Sequence, residues 1–174
     1  MKEEKKVRDL MVSVFDYPHI PYWFTIRQAI SIMKKSFIES EKTILPQVIF
    51  VFNEKYDLLG TITPFEIVKG LEPKMKMVSI KDADVIYYDE NSLTEVEASL
   101  FSSEVKEKVE RPVSEIMVSA KVFISPNASV IKAGFLMIHH KLSVLPVIEN
   151  NKFVGVIRML DVFNEISKII LEEV

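Results

Sequence analysis

The feature that most constrains this chain is an internal duplication. Residues 7–13 (VRDLMVS) closely match residues 113–119 (VSEIMVS). Each segment is followed by an apolar pattern of helical period, then by two strand-like runs and a second helical pattern. Self-similarity of this kind is the signature of a repeated supersecondary unit, so the sequence predicts two copies of one small fold.

Periodicity predicts the same order of elements in both copies. Thr25 and Gln28 have the spacing of a capping box at the start of the first helix, and residues 129–137 repeat that helix in the second copy. The predicted strands are residues 48–52 and 58–63 in the first copy and residues 144–148 and 153–158 in the second. Each copy is therefore predicted to fold as β-α-β-β-α after a short helical turn, which gives a mixed α/β (α+β) fold class.

Two of the four glycines, Gly60 and Gly155, occupy the same place in the two copies. A glycine within a strand indicates a position where another group comes unusually close to the backbone. That group can be a neighbouring strand or a ligand, and the sequence leaves both explanations open.

The duplication also predicts the domain organisation. We expect residues 1–72 to form the first repeat with a charged leader, and residues 113–174 to form the second. Residues 73–112 would connect them. Apolar residues recur among charges between residues 93 and 109, which predicts a connecting helix.

Composition excludes several functional classes. The 174 residues include 22 basic and 25 acidic side chains, so there is no basic excess for binding a nucleic-acid backbone. The chain has no cysteine, which excludes disulfides and a thiol nucleophile. No apolar run has the length of a membrane span, and the N-terminus lacks the apolar stretch of a signal peptide. We therefore expect a cytoplasmic protein without membrane or nucleic-acid partners.

The repeated motifs resemble the CBS domain, named after cystathionine β-synthase. The segments that carry this resemblance are Asp9-Leu-Met11, Glu115-Ile-Met117, Leu145-Pro-Val147, residues 60–66 (GTITPFE) and residues 155–161 (GVIRMLD). The resemblance covers about residues 7–72 and 113–170. It implies tandem CBS repeats in one pseudo-two-fold unit, a Bateman module. Proteins of this kind commonly bind an adenosine nucleotide (AMP, ADP or ATP) between the repeats and pair into homodimers.

The ligand motif of this family, G-h-x-[T/S]-x-x-D, is altered in both copies. The first copy keeps Thr63 but has Glu66 at the aspartate position, and the second keeps Asp161 but has Arg158 at the hydroxyl position. Thr63 and Glu66 fit a helix start with Pro64 between them, so capping alone explains them. We identify no such local explanation for Arg158 and Asp161, and an arginine can bind a phosphate bidentately. The second copy is therefore the predicted better ligand site.

The resemblance further implies that two strands of each repeat read the adenine through backbone groups and sandwich it with apolar side chains. The positions concerned are Val122, Phe123, Ile124, Val144, Leu145 and Pro146 in the second copy, and His19 and Ile20 in the first. Valine and leucine in strands are more often simply core, which is the competing explanation for the apolar members of this set.

Two functions follow as hypotheses. The first is a stand-alone regulatory module that binds an adenosine nucleotide between the repeats and signals to a partner protein. The second is a ligand-independent dimerisation module with degenerate sites. We expect no enzyme activity, required cofactor or metal, since no nucleophile–base pair can be named and His139 and His140 point roughly 100° apart on their helix.

Overall fold

The computed structural model describes residues 4–39, 48–71 and 102–172. The strands are β1 (Val12–Ser13), β2 (His19–Pro21), β3 (Ile49–Phe52), β4 (Leu58–Ile62), β5 (Val118–Ser119), β6 (Val144–Glu149) and β7 (Lys152–Arg158). The α-helices are α1 (Ile26–Glu39), α2 (Pro64–Leu71), α3 (Ser103–Lys108), α4 (Val130–His140) and α5 (Met159–Glu172). Short 3-10 turns occupy Val7–Asp9, Val14–Asp16 and Val113–Glu115.

The predicted α/β fold with two β-α-β-β-α repeats is confirmed. The first repeat runs β2-α1-β3-β4-α2 and the second runs through α4, β6, β7 and α5. In the second repeat the first strand is reduced to a single parallel bridge between Ile124 and Val147. The capping box is also present, because the Thr25 N–H donates to the Gln28 side chain at 2.9 Å and the Gln28 N–H donates to Thr25 Oγ1 at 3.2 Å.

The two sheets exchange their leading strands. One sheet has the order β2-β3-β4-β5 and the other β1-β7-β6. Strand β1 precedes the first repeat in the chain yet pairs with β7 of the second, and β5 precedes the second repeat yet pairs with β4 of the first. Each sheet is therefore completed by a strand from the other half of the chain.

The exchange explains the duplicated glycines. Gly155 lies opposite Ser13, and Gly60 lies opposite Ser119, at equivalent places in the two sheets. A methyl group added at Gly155 would come within 2.5 Å of the Val12 carbonyl oxygen, and one at Gly60 equally close to that of Val118. Of the two explanations left open by the sequence, the tight strand–strand contact is the one that the structure supports.

The hydrophobic cores follow the same exchange. Val7 is fully buried in the core of the second repeat, beside Met137 and Leu145, while Val113 is fully buried in the core of the first. A third cluster, here called the inter-sheet core, joins the two sheets and consists of Tyr17, Val48, Phe50, Phe52, Val144 and Val156. The predicted repeat boundaries remain predictions, and the structure adds that each leading segment packs in the core of the opposite repeat.

The predicted connecting segment lies mostly outside the described residues. Its described end contains α3, which is capped by the Ser102 hydroxyl. The backbone of Arg111 then bonds to the start of α1, where the Ile26 N–H donates to the Arg111 carbonyl at 2.9 Å. Of the helices in the described ranges, none is long and apolar enough to cross a membrane.

Candidate functional site

Arg158 and Asp161 form a compact pair at the junction of β7 and α5. The Asp161 Oδ2 accepts from the Arg158 backbone N–H at 3.2 Å and from its Nε at 2.7 Å, and Oδ1 accepts from Nη2 at 2.5 Å. Both side chains are largely buried, with 14% and 12% of their surface exposed. The bidentate hydrogen bond raises the pKa of the Arg158 guanidinium.

This geometry corrects one expectation. The statement that nothing local explains Arg158 and Asp161 is wrong, because Asp161 caps the start of α5 through the Arg158 N–H and neutralises the same residue's side chain. The cap was missed because it uses the backbone of residue 158, so it does not require a hydroxyl side chain at that position.

Thr63 and Glu66 form the corresponding helix start in the first repeat. The Thr63 N–H donates to Glu66 Oε2 at 2.8 Å, and the Thr63 hydroxyl donates to the same oxygen. The Thr63 Oγ1 in turn accepts from the Phe65 N–H at 3.2 Å. The predicted helix-capping role of both residues is confirmed.

Tyr17 is the residue that the sequence did not single out. It lies in the inter-sheet core with 3% of its surface exposed. Its hydroxyl has no partner at full hydrogen-bond geometry in the described ranges, although the Arg158 side chain is close enough to interact with it. Burial raises its pKa from 10.0 to about 12, and the nearby charge of Arg158 opposes that rise. A phenol from the first half of the chain therefore faces the Arg158–Asp161 pair of the second half.

Val144 and Pro146 lie on β6, next to this junction. Val144 is opposite Arg158 in the β6–β7 ladder and is buried with Tyr17 in the inter-sheet core. Pro146 is buried opposite Val156, another member of that core. Val144 is thus the predicted strand position that the structure brings next to Tyr17 and Arg158, and Pro146 lies two residues further along the same strand.

The other predicted strand positions are placed elsewhere. Ile124 and Leu145 are buried in the core of the second repeat, and Ile20 is buried in that of the first. The backbone N–H and carbonyl of Ile124 are both bonded to β6. Val122 packs on the second core and Phe123 is 36% exposed, while His19 is exposed with its ring against Phe52 at 6.0 Å. Ligand contacts for these residues stay predictions.

Two β-α-β-β-α units exchange their leading strands, and comparison with known proteins identifies this tandem fold. Residues 113–168 match the family model described as "CBS domain". This match covers the second repeat, and the whole chain has the fold of solved CBS-domain pairs, which confirms the resemblance in the sequence.

Three similar proteins illustrate the relationship. The CBS domain-containing protein YhcV of Bacillus subtilis (strain 168) is 26% identical over 105 residues, which are 59% of this chain and 75% of that protein. The structure of CBSX2, a protein of Arabidopsis thaliana, in complex with AMP has a TM-score of 0.60 at 13% identity and covers 94% of this chain and 97% of its own. The CBS domain pair of MJ0100 with 5′-methylthioadenosine and S-adenosyl-L-methionine has a TM-score of 0.61 at 15% identity and covers 95% and 98%.

Proposed function

We propose that this chain is a regulatory module that binds an adenosine nucleotide, such as AMP, ADP or ATP, between its two repeats and signals to a partner protein. The observation that carries the proposal is the buried Tyr17 hydroxyl, which has no partner at full hydrogen-bond geometry among the described residues and faces the Arg158–Asp161 pair. A buried hydroxyl without a good hydrogen bond costs up to about 1–3 kcal/mol, and an oxygen of a bound ligand would recover part of that cost. The AMP complex of the similar protein CBSX2 supports the choice of ligand class.

The Arg158–Asp161 pair supplies the polar chemistry. The guanidinium can exchange one carboxylate oxygen for a phosphate oxygen, since both anions fit its planar donor pair. The Asp161 oxygen released in this way can then accept from a ribose hydroxyl. Adenosine compounds without a phosphate, such as those in the MJ0100 complex, would use the ribose contact with Asp161 but not the phosphate contact with Arg158.

Signalling follows from the position of the junction. Tyr17 comes from one half of the chain and Arg158 from the other, so a ligand that contacts both favours one relative arrangement of the repeats. A ligand shifts such an equilibrium only by its differential affinity for the two arrangements. The proposed module binds its ligand without turning it over and acts in the cytoplasm.

Titration calorimetry with AMP, ADP, ATP and S-adenosylmethionine tests the proposal. We expect the chain to bind at least one of them, and Tyr17→Phe to weaken that binding by about fivefold, the value of one hydrogen bond, while the fold is kept. Tyr22→Phe is the matched control, because its hydroxyl bonds to Glu54 at 2.9 Å away from the junction. No heat with any ligand, or equal affinity of Tyr17→Phe and the parent, would contradict the proposal.

We also propose that the chain forms a homodimer. The alternative function, a ligand-independent dimerisation module, depends on this dimer. Helix α4 presents a stripe of exposed apolar side chains, Ile131, Phe135 and Ile138, on the face opposite the buried Ala133 and Met137. The equivalent positions of α1 are Arg27, Ser31 and Lys34, all exposed. The apolar stripe of α4 therefore has no counterpart on α1, and a second copy of the same stripe is its self-complementary partner in a two-fold dimer.

Replacing the stripe with its first-repeat equivalents tests the dimer. The variant Ile131→Arg/Phe135→Ser/Ile138→Lys is expected to sediment as a monomer under conditions where the parent is a dimer, with unchanged circular dichroism. Sedimentation equilibrium with and without AMP distinguishes the two functions. A parent dimer that persists unchanged, together with an absence of nucleotide binding, would favour the ligand-independent interaction module.

A further inference from the structure

A cleft of about 450 Å³ lies between the hairpin turns of the two repeats. Its walls come from both halves of the chain and include Phe15, Phe52, Tyr56, Asn151, Lys152 and Phe153. Of the predicted ligand residues, His19 lines this cleft, whereas Thr63, Glu66, Arg158 and Asp161, the residues predicted for phosphate and ribose, do not. Lys152 and Arg158 are the two ends of β7, six residues or roughly 20 Å apart, so the cleft is separate from the Arg158–Asp161 junction.

The wall of the cleft is a continuous set of aromatic rings. Phe153 lies 5.0 Å from Phe50 and 5.8 Å from Phe52, measured between ring centroids, and Phe52 in turn lies 6.1 Å from Tyr56. The set begins in the inter-sheet core and ends at the surface. Phe15 completes the rim with 86% of its surface exposed. Such a surface favours a flat aromatic group, which can stack or pack edge-on against it.

Tyr56 is an unusual choice of residue for its backbone position. Tyr56 and Asn151 occupy equivalent turn positions in the two repeats, with φ angles of 62° and 60°. Asparagine is among the residues that this left-handed conformation favours, whereas tyrosine adopts it rarely. Turn chemistry therefore explains Asn151 but not Tyr56, whose ring is 76% exposed on the cleft. Strained residues of this kind concentrate at functional sites.

The charges at the cleft favour an anion. Lys55 and Lys152 both line it, both are exposed, and neither forms an ion pair within the described ranges. The one acidic lining residue, Asp57, accepts from the Asn53 side-chain amide at 2.9 Å. Two lysines beside a single hydrogen-bonded carboxylate give this opening a positive balance.

We propose that this cleft is a second ligand site, for a planar aromatic ring that carries an anionic group. The ring packs against Phe52, Tyr56 and Phe153, and the anion lies against Lys55 and Lys152. Both an aryl carboxylate and a nucleotide combine a planar aromatic ring with an anionic group. Because its walls come from both repeats, a bound ligand holds the two hairpin turns together.

Amide chemical-shift mapping on the full chain tests the site with three probes: indole-3-acetate, its neutral analogue indole-3-acetamide, and AMP. We expect indole-3-acetate to shift the amides of residues 55–57 and 150–153 with a dissociation constant on the order of 1 mM or below. The acetamide should bind several-fold more weakly, because it lacks the anion. Shifts of the same amides with AMP would identify a nucleotide as the class of ligand that the cleft binds.

Two substitutions decide the outcome. Tyr56→Asn suits the left-handed backbone and so keeps the fold, and it should weaken binding of the active probe several-fold, as should Lys152→Gln. Lys168→Gln, exposed on α5, is the matched control and should leave binding unchanged. The proposal is overturned if neither anion shifts these amides, if the acetamide binds as tightly as the acetate, or if Tyr56→Asn leaves the affinity unaltered.

Discussion

The side chains of Tyr17, Arg158 and Asp161 meet where the two repeats join, and each has a testable effect on stability. The phenol is buried without a partner at full hydrogen-bond geometry in the described ranges, and the ion pair lies beside it. Burial raises the pKa of Tyr17, so this residue is tested by changing the pH, whereas the ion pair is tested by substitution.

Raising the pH is predicted to destabilise the chain through Tyr17. Its folded-state pKa of about 12 exceeds the ordinary 10.0, so the unfolded chain loses the phenolic proton first as the pH rises. The stabilisation is complete below pH 10 and is lost as the pH approaches 12, by roughly 2–3 kcal/mol for two pKa units. Urea unfolding of the parent and Tyr17→Phe at neutral pH and above pH 10 measures it. Parallel pH dependence of the two proteins would contradict the prediction.

At neutral pH, Asp161→Ala is predicted to destabilise the fold as well as weaken nucleotide binding. The substitution leaves the largely buried Arg158 guanidinium unpaired and removes the cap of α5, at a cost of about 2–4 kcal/mol. The double variant Arg158→Met/Asp161→Ala should regain part of this stability, because no charge is left unpaired. Chemical denaturation of both variants tests this. An Asp161→Ala protein as stable as the parent would show that the pair contributes nothing.

At the scale of elements, each exchanged strand requires a glycine in the neighbouring strand at the point where the two come closest. Strand β1 approaches β7 at Gly155 as β5 approaches β4 at Gly60, so the two contacts are pseudo-symmetric. The sequence places these glycines in strands correctly. It does not identify the strand that approaches, because each partner comes from the other half of the chain.

Gly155→Ala is predicted to lower the free energy of unfolding by about 1–3 kcal/mol, since the new methyl group would force the Val12 backbone away. Gly70→Ala is a comparison for the kind of contact. Its methyl group would also come within 2.5 Å of another atom, but that atom is Cγ2 of the Ile116 side chain and not backbone, and alanine is the better residue inside helix α2. Thermal unfolding should show a loss for Gly155→Ala, and a Gly155→Ala protein as stable as the parent would exclude the backbone contact as a constraint.

At the scale of the whole molecule, the exchange makes the two repeats interdependent. The second repeat lacks Val7 from its core and β1 from its sheet when the first half of the chain is removed. The inter-sheet core loses Tyr17, Val48, Phe50 and Phe52 at the same time. Both proposed ligand sites also draw their walls from the two halves.

A fragment of residues 102–174 is therefore predicted not to fold by itself, because it cannot bury the apolar surface that these residues cover. A peptide of residues 4–17 added in trans should restore part of the native structure by supplying Val7, β1 and Tyr17. Amide resonance dispersion of the fragment with and without the peptide measures this. A fragment with native dispersion alone would show that the second repeat is autonomous.

The sequence by itself determined the repeated β-α-β-β-α order, the family resemblance and the helix starts at Thr25 and Thr63. These features depend on hydrophobic periodicity and on hydrogen bonds between residues no more than four positions apart, so the local sequence encodes them directly. Only the tertiary structure decided that β1 and β5 change sheets, that Ile124 and Leu145 are core, and that Tyr17 faces Arg158. The strand contacts join residues from 59 positions apart (Gly60 and Ser119) to 144 positions apart (Val12 and Val156). They arise because each repeat can bury its apolar face only by borrowing the leading segment of the other.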